Sequence, residues 1–153
     1  MSGQVGDGGP GPVLCVAALC RAADSLVLVR RGSGRADGSW DLPRAAVTGG
    51  ETAAEAVVRA AEHEIGVTAV CGPFAGWSEL ADVEDPVVTL YFDAIPIDAG
   101  TIGADPSEGT APGPPGPAGL EVRAVPLWEV TELRLFPGLA EFLADIGLID
   151  LLI

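Results

Sequence analysis

The sequence predicts an α/β fold in which a mixed β-sheet is sandwiched between helices, and three observations carry that prediction. Stretches rich in β-branched and aromatic residues come as hairpin-like pairs rather than alternating singly with helices. Two helix-like stretches stand apart from them, one in mid-chain at 53–65 and one at the end, 137–153. No G-x-G-x-x-G follows a strand, so a doubly wound parallel sheet fits badly. At 153 residues, 48% of them apolar, the chain reads as one domain with material for a full core.

In chain order, residues 1–11 read as a flexible tail, and 12–153 as the domain. The tail has neither a basic nor an apolar region, so it is not read as a signal peptide. Residues 12–21 form a first strand, 22–24 a turn and 25–31 a second strand of alternating Leu and Val, the two pairing as a hairpin. A loop follows at 32–38, GSGRADG, then a short strand at 40–42 that Pro43 closes. After the mid-chain helix, 67–80 reads as a strand interrupted at Gly72 and Pro73, and 81–85 as an acidic turn. Residues 86–97, rich in Val, Tyr, Phe and Ile, have the strongest β character and should pair with 67–80 as a long hairpin. Residues 99–119 are mostly Gly, Pro, Ser, Asp and Ala; they bury too little to offset the entropy of ordering and read as a mobile loop. A last strand at 120–127 leads through the turn WEVTEL to the final helix, with Pro137 in its first turn. Leu139, Phe142, Leu143, Ile146 and Ile149 give that helix a core face. The apolar tail Leu151, Leu152 and Ile153 suits either docking onto the sheet or a homodimer contact.

The mid-chain helix is the best-signalled element. Thr52 is a good N-cap, and Glu55 three residues on completes a capping box. Gly49 and Gly50 let the chain turn just before it, and Gly66 stands where a helix end favours positive φ. At about 100° per residue, Ala54, Val57, Val58, Ala61 and Ile65 share one face, read as the buried one. Glu51, Glu55 and Glu62 share a flank. Arg59, Ala60, His63 and Glu64 lie on a third arc, roughly opposite the apolar face.

Twenty-two acidic residues against eight arginines leave a net charge of −14, which argues against nucleic acid polymers as partners. No apolar run reaches the roughly 18 residues of a membrane span. Cys15, Cys20 and Cys71 lack metal-site spacing and read as plain buried thiols in a reducing compartment, the cytoplasm. Arg30, Arg31, Arg35 and Arg44 cluster within fifteen residues; they read either as ordinary surface arginines or as a phosphate-facing rim.

The stretch WDLPRAAVTGGETAAEAVVRAAEHEIGV, from Trp40 to Val67, resembles the signature of the Nudix hydrolases, G-x5-E-x7-R-E-U-x-E-E-x-G-U with U bulky and aliphatic. Its first Gly falls on Ala45, its first Glu on Glu51, its Arg on Arg59 and its last Gly on Gly66, without a gap. The upstream W-x-L-P also matches, and L-P-R at 42–44 is similar to the L-P-K-G variant of dinucleoside polyphosphate and diphosphoinositol phosphate hydrolases. The departures are as plain. Ala60 stands where a Glu is usual and His63 where one of the paired Glu is usual, so Glu64 alone remains of the three helix carboxylates.

The resemblance implies a Nudix fold and a site using Mg²⁺ or Mn²⁺. It implies metal ligands at Glu64, Glu51 and the Ala45 carbonyl, with Glu64 facing a phosphate-sized hollow beside the glycine turn. Arg59 would have a structural role, pairing with Glu51. Arg30, Arg31 and Arg44 are the substrate-binding candidates, for a nucleotide-like ligand. Catalysis would fall to Glu64, with Glu121 or His63 as the proton acceptor. Read from the residues alone, Glu121 is equally a charge guarding a sheet edge. His63 is a surface residue, a ligand for a softer metal or an acid–base group. Trp40, Phe74, Trp77 and Tyr91 could stack a base or simply fill core.

Two readings follow. In one, the chain binds a nucleoside-diphosphate-type ligand with hydrolysis impaired or lost. In the other, it is an active Nudix hydrolase whose base has moved to Glu121 or His63. On either, replacing Ala60 and His63 together by glutamate should raise hydrolysis.

Overall fold

A computed structural model describes residues 13–31, 38–80, 86–97 and 119–149. The expected tail, the loop at 32–37, the turn at 81–85, nearly all of the 99–119 loop and the last four residues lie outside the described set.

Two four-stranded sheets form. In the first, β5 (Arg44–Ala46), β1 (Val13–Leu19), β7 (Val87–Pro96) and β6 (Ala69–Leu80) lie side by side in that order. It is mixed, because β1 runs parallel to β7 and antiparallel to β5. In the second, β3 (Ser25–Arg30) pairs along its whole length with β8 (Glu121–Pro126) on one edge, and on the other edge with β2 (Arg21–Ala22) at its start and β4 (Trp40–Asp41) at its end. The long β6–β7 hairpin forms as expected, with register shifts between Cys71 and Gly76 where Gly72 and Pro73 interrupt the strand.

The expected hairpin between 12–21 and 25–31 does not form as read. Only Arg21 and Ala22 pair with β3, while β1 belongs to the other sheet. The chain changes sheets at Cys20, whose carbonyl accepts from the Val27 N–H at 2.9 Å. The reason lies in burial on both faces. Val16, Ala18 and Cys20 of the first strand segment, with Val27 and Val29 of β3, face one core; Ala17, Leu19, Leu26 and Leu28 face another. Such strands read as continuous apolar runs, and the run itself does not say which neighbour each strand takes.

A helix closes each core. On one side α1 (Ala53–Ala60) continues through a wider π turn, Ala61–Ile65, and buries Ala56, Val57, Ala61 and Ile65. Its cap is the one read from sequence: the Thr52 hydroxyl accepts from the Glu55 N–H at 3.1 Å, and the Glu55 carboxylate accepts from the Thr52 N–H at 2.9 Å. Gly66, at φ +70, ends it. On the other side α2 (Leu127–Val130) and α3 (Leu139–Asp145) bury Val130, Leu139, Phe142 and Leu143. So WEVTEL is partly helical rather than a turn. The last helix is shorter than expected because Gly147, at φ +82, turns the chain soon after Asp145. Phe142 stacks on Tyr91 with ring centroids 3.6 Å apart, and a side chain at Gly76 would collide with it, its Cβ 2.8 Å from the Phe142 ring.

The face of α1 is rotated from the expected one. Ala54 is exposed, while Ala60 and Glu64 are buried with Ala56, Val57, Ala61 and Ile65. The third arc, placed roughly opposite the apolar face, is therefore split: Ala60 and Glu64 are buried, Arg59 and His63 exposed. Val57, Ala61 and Ile65 keep their expected burial, Val58 is only partly buried, and Ala56 and Ala60 take the place expected of Ala54.

Candidate functional site

The site is built where three segments meet: the end of β3, the segment 41–44, and the last turn of α1. Asp41 lies in W-D-L-P between two buried apolar residues, Trp40 and Leu42. It is fully buried, so its charge requires partners at hand. Arg44 supplies two hydrogen bonds, Nε to Oδ2 at 2.9 Å and Nη2 to Oδ1 at 3.1 Å. Arg31 supplies a third, Nε to Oδ2 at 3.2 Å, and the Leu42 N–H a fourth at 2.8 Å.

Glu64 completes the cluster. Arg31 grips it with two nitrogens, Nη1 to Oε2 at 2.6 Å and Nη2 to Oε1 at 2.9 Å. The Arg44 N–H also donates to Oε1, at 2.9 Å. Only 9% of Glu64 is exposed. The expected hollow beside the glycine turn is not what this carboxylate faces; it faces a guanidinium. Two cations and two anions thus close on one another, and both arginines hold their protons more firmly than usual. For each, burial opposes the charge, but pairing with Asp41, and for Arg31 with Glu64, more than offsets it.

Arg44 also forms a wall. Its Nη1 donates to the Thr89 hydroxyl at 2.6 Å, and its guanidinium lies 4.5 Å from the Phe136 ring centre. Beyond it opens a cavity of about 300 Å³, lined by Cys15, Arg44, Ser78, Thr89, Tyr91 and Phe136 among others. The Ser78 and Tyr91 hydroxyls are hydrogen-bonded at 2.9 Å. Burial pushes the Cys15 thiol upward against the pull of Arg44, so it is neutral near pH 7. A mostly apolar cavity with a few fixed polar groups and a flat cationic wall suits a planar, partly polar group such as a nucleobase.

The other candidates lie apart from this cluster. Glu51 is clasped by Arg59, Nε to Oε2 and Nη2 to Oε1, each at 2.9 Å, and Arg59 also donates to the Ala46 carbonyl at 2.8 Å. The clasp ties the loop to α1. His63 is exposed on the outer side of α1. Glu121 begins β8 and pairs with Arg30 of β3 at 3.5 Å. Arg30 is exposed, Arg31 and Arg44 are turned inward, and Arg35 lies outside the described residues. Among the aromatics, Trp40 and Tyr91 are buried, whereas Phe74 and Trp77 are exposed on the edge strand β6. Cys15 and Cys20 are buried thiols, Cys71 partly so, and none is in a disulfide.

These positions do not fit a hard divalent cation. Each Glu64 oxygen is engaged by Arg31, each Glu51 oxygen by Arg59. Ala45 pairs with Val16 midway between two hydrogen-bonded pairs, Ala18 with Pro43 and Leu14 with Val47, a register that commits its carbonyl to the sheet. Among the described residues no three His, Cys, Asp or Glu side chains converge on one point. Mg²⁺ and Mn²⁺ gather several open oxygens, and here each of these carboxylate oxygens already accepts from an arginine.

The Glu51 clasp has a testable pH signature. Hydrogen bonds from Arg59 and then from the Thr48 N–H lower the Glu51 pKa from 4.5 to about 2. A lowered folded-state pKa stabilises above the unfolded value and is lost as pH falls through the folded one. The melting temperature of Glu51→Gln should therefore lie below wild type by a constant margin above about pH 5, and the margin should close between there and pH 2. An unchanging margin would show that the clasp does not carry the effect.

Sequence reading did not single out Asp41, Thr89 or Phe136. Asp41 had a signal: an acid inside an apolar strand segment implies a buried partner. Thr89 and Phe136 reach Arg44 from distant parts of the chain and had none.

A mixed sheet between helices, entered through a glycine turn and a boxed helix cap, is the architecture of the Nudix class. The NUDIX domain family model matches residues 10–146, and the chain belongs to that family. Solved structures agree. A MutT protein from Methanosarcina mazei Go1 is 26% identical at a TM-score of 0.69, the match covering 89% of this chain and 94% of that one. The E. coli ORF135 protein is 20% identical at 0.62, covering 95% and 90%. The NUDIX domain of Shewanella oneidensis NrtR, crystallised with ADP ribose, is 17% identical at 0.65, also covering 95% and 90%. No curated protein gives a significant match. No helix among the described residues is long and apolar enough to cross a membrane.

Proposed function

We propose that this chain binds a nucleoside-diphosphate-type ligand and that its metal-dependent pyrophosphohydrolase activity is impaired or lost. One observation carries the reading: the last box carboxylate, Glu64, is held by Arg31 at 2.6 and 2.9 Å and is not open to a metal ion. Mg²⁺ or Mn²⁺ binding at the box is then weak or absent. The neighbouring Ala60 offers no proton acceptor, a loss that typically costs ~10²–10⁴-fold in rate. Ligand binding is supported by the cavity behind Arg44 and by the structural likeness to a NUDIX domain that holds ADP ribose. In this reading the base enters the cavity against Phe136. Arg30, exposed and only loosely paired with Glu121, takes a phosphate, while Arg31 and Arg44 shape the site.

The alternative, an active hydrolase, rests on the family's chemistry with Glu121 or His63 as base; His63 is exposed while Glu64 is buried. Titration of ADP ribose and other nucleoside diphosphate-linked compounds, in EDTA and in Mg²⁺, separates the two when products are followed by chromatography. We expect saturable binding of at least one compound in both buffers and no cleavage above the buffer control. Turnover in wild type that Glu121→Gln or His63→Gln abolishes would establish the alternative. Neither binding nor turnover across the panel would sink both. A cytoplasmic setting suits the three free thiols. A homodimer is carried by the exposed Phe74 and Trp77 of edge strand β6, and a single monomeric species in concentrated solution would remove it.

A further inference from the structure

We propose that Arg31 is a resident cation at Glu64: its guanidinium occupies the carboxylate in place of a divalent ion, so the site is assembled without metal and Glu64 takes one up only when Arg31 is removed. The geometry around Arg31 argues for more than a surface ion pair. It sits at the end of β3 and reaches three other groups: the Glu64 carboxylate from the end of α1, the Asp41 carboxylate, and the Leu42 carbonyl at 3.0 Å. A guanidinium fork presents donors in the plane a carboxylate accepts them, which a spherical ion does not require. Arg31 therefore joins strand, loop and helix end.

The charges also balance inside this group. Arg31 and Arg44 face Asp41 and Glu64, leaving no negative excess to attract a cation. Glu64 Oε1 already accepts twice, from Arg31 and from the Arg44 N–H, and Oε2 accepts the shortest of the contacts. A metal ion arriving here would meet a guanidinium already hydrogen-bonded to both carboxylate oxygens. With Arg31 gone, the same carboxylate would be buried, charged and without its partner, which is the condition under which a cation is taken up.

The proposal extends the reading of lost hydrolysis, yet its test contains no nucleotide, so its failure is distinct from a failure of ligand binding. The full-length chain is titrated with Mn²⁺ alone, and free ion is read by electron paramagnetic resonance alongside thermal unfolding. Four proteins are compared: wild type, Glu64→Gln, Arg31→Gln and the double variant. Wild type and Glu64→Gln should take up Mn²⁺ alike, neither holding a tight ion. Arg31→Gln should melt below wild type in EDTA, bind a Mn²⁺ ion and recover part of the lost melting temperature; the double variant should gain nothing from the metal. A Mn²⁺ ion bound by wild type and lost in Glu64→Gln overturns the proposal. So does an Arg31→Gln chain that folds but binds no Mn²⁺. If Arg31→Gln fails to fold, the comparison of wild type with Glu64→Gln decides alone, equal uptake supporting the proposal and unequal uptake overturning it.

Discussion

Asp41→Ala should lower the unfolding free energy by about 3–5 kcal/mol, the usual cost of removing one partner from a buried ion pair. Asp41 is fully buried and accepts from Arg44 twice, from Arg31 and from the Leu42 N–H. Without it, Arg44 keeps only the Thr89 hydroxyl and the face of Phe136, neither of them anionic. Arg31 retains Glu64, so the loss falls mainly on Arg44. For a chain of this size roughly 2–4 °C is lost per kcal/mol, so the melting temperature should fall by on the order of 10 °C. Asp41→Asn, which keeps the shape and the acceptor for Leu42, should lie between the two. Urea titration measures the difference. A loss below about 1 kcal/mol would mean that Arg44 swings out through the cavity into water and that the four-charge cluster is not a structural unit.

Ala60→Glu and His63→Glu, paired in the sequence-based expectation, should behave unequally. His63 is exposed on the outer side of α1, and an acid there should change stability by no more than about 0.5 kcal/mol. Ala60 is 1% exposed and lies one turn before Glu64 on the same inward side. A glutamate at 60 must enlarge a packed site and bury a second carboxylate near the first. Overpacking alone costs about 1–3 kcal/mol, and an unpaired acid adds to it. We expect a total on the order of 2–3 kcal/mol, with phosphate release still at background because Arg31 continues to hold Glu64. Equal denaturation midpoints for the two single variants would contradict the inward placement of Ala60. A rise in Mg²⁺-dependent phosphate release from Ala60→Glu alone would show that Arg31 does not close the site.

What could be read from the sequence followed from locality. The α1 cap depends on residues three apart, Thr52 and Glu55, and its end on Gly66, so each was legible from its neighbours. The β6–β7 hairpin was legible for the same reason. The partnership of β1 was not, because Val13 aligns with Val87 in parallel and such pairing leaves no local mark. The helix face was misread by one flank, since an alanine-rich helix (Ala53, Ala54, Ala56, Ala60, Ala61) carries little hydropathy contrast to mark which alanines are buried. The site shows the same division. The Arg59–Glu51 clasp lies eight residues apart along one box and was read correctly as a pairing. Arg31 and Glu64, thirty-three residues apart, were assigned to substrate and metal separately. Nothing in a one-dimensional pattern joins them; the fold does, by bringing the end of β3 against the end of α1.

The most direct measurement of that joining is anomalous diffraction from crystals of the chain grown in Mn²⁺. No anomalous peak is expected within bonding distance of Glu64, and Arg31 should still span both carboxylate oxygens. A manganese peak on Glu64, with the Arg31 guanidinium displaced from it, would show that the carboxylate is a metal site after all.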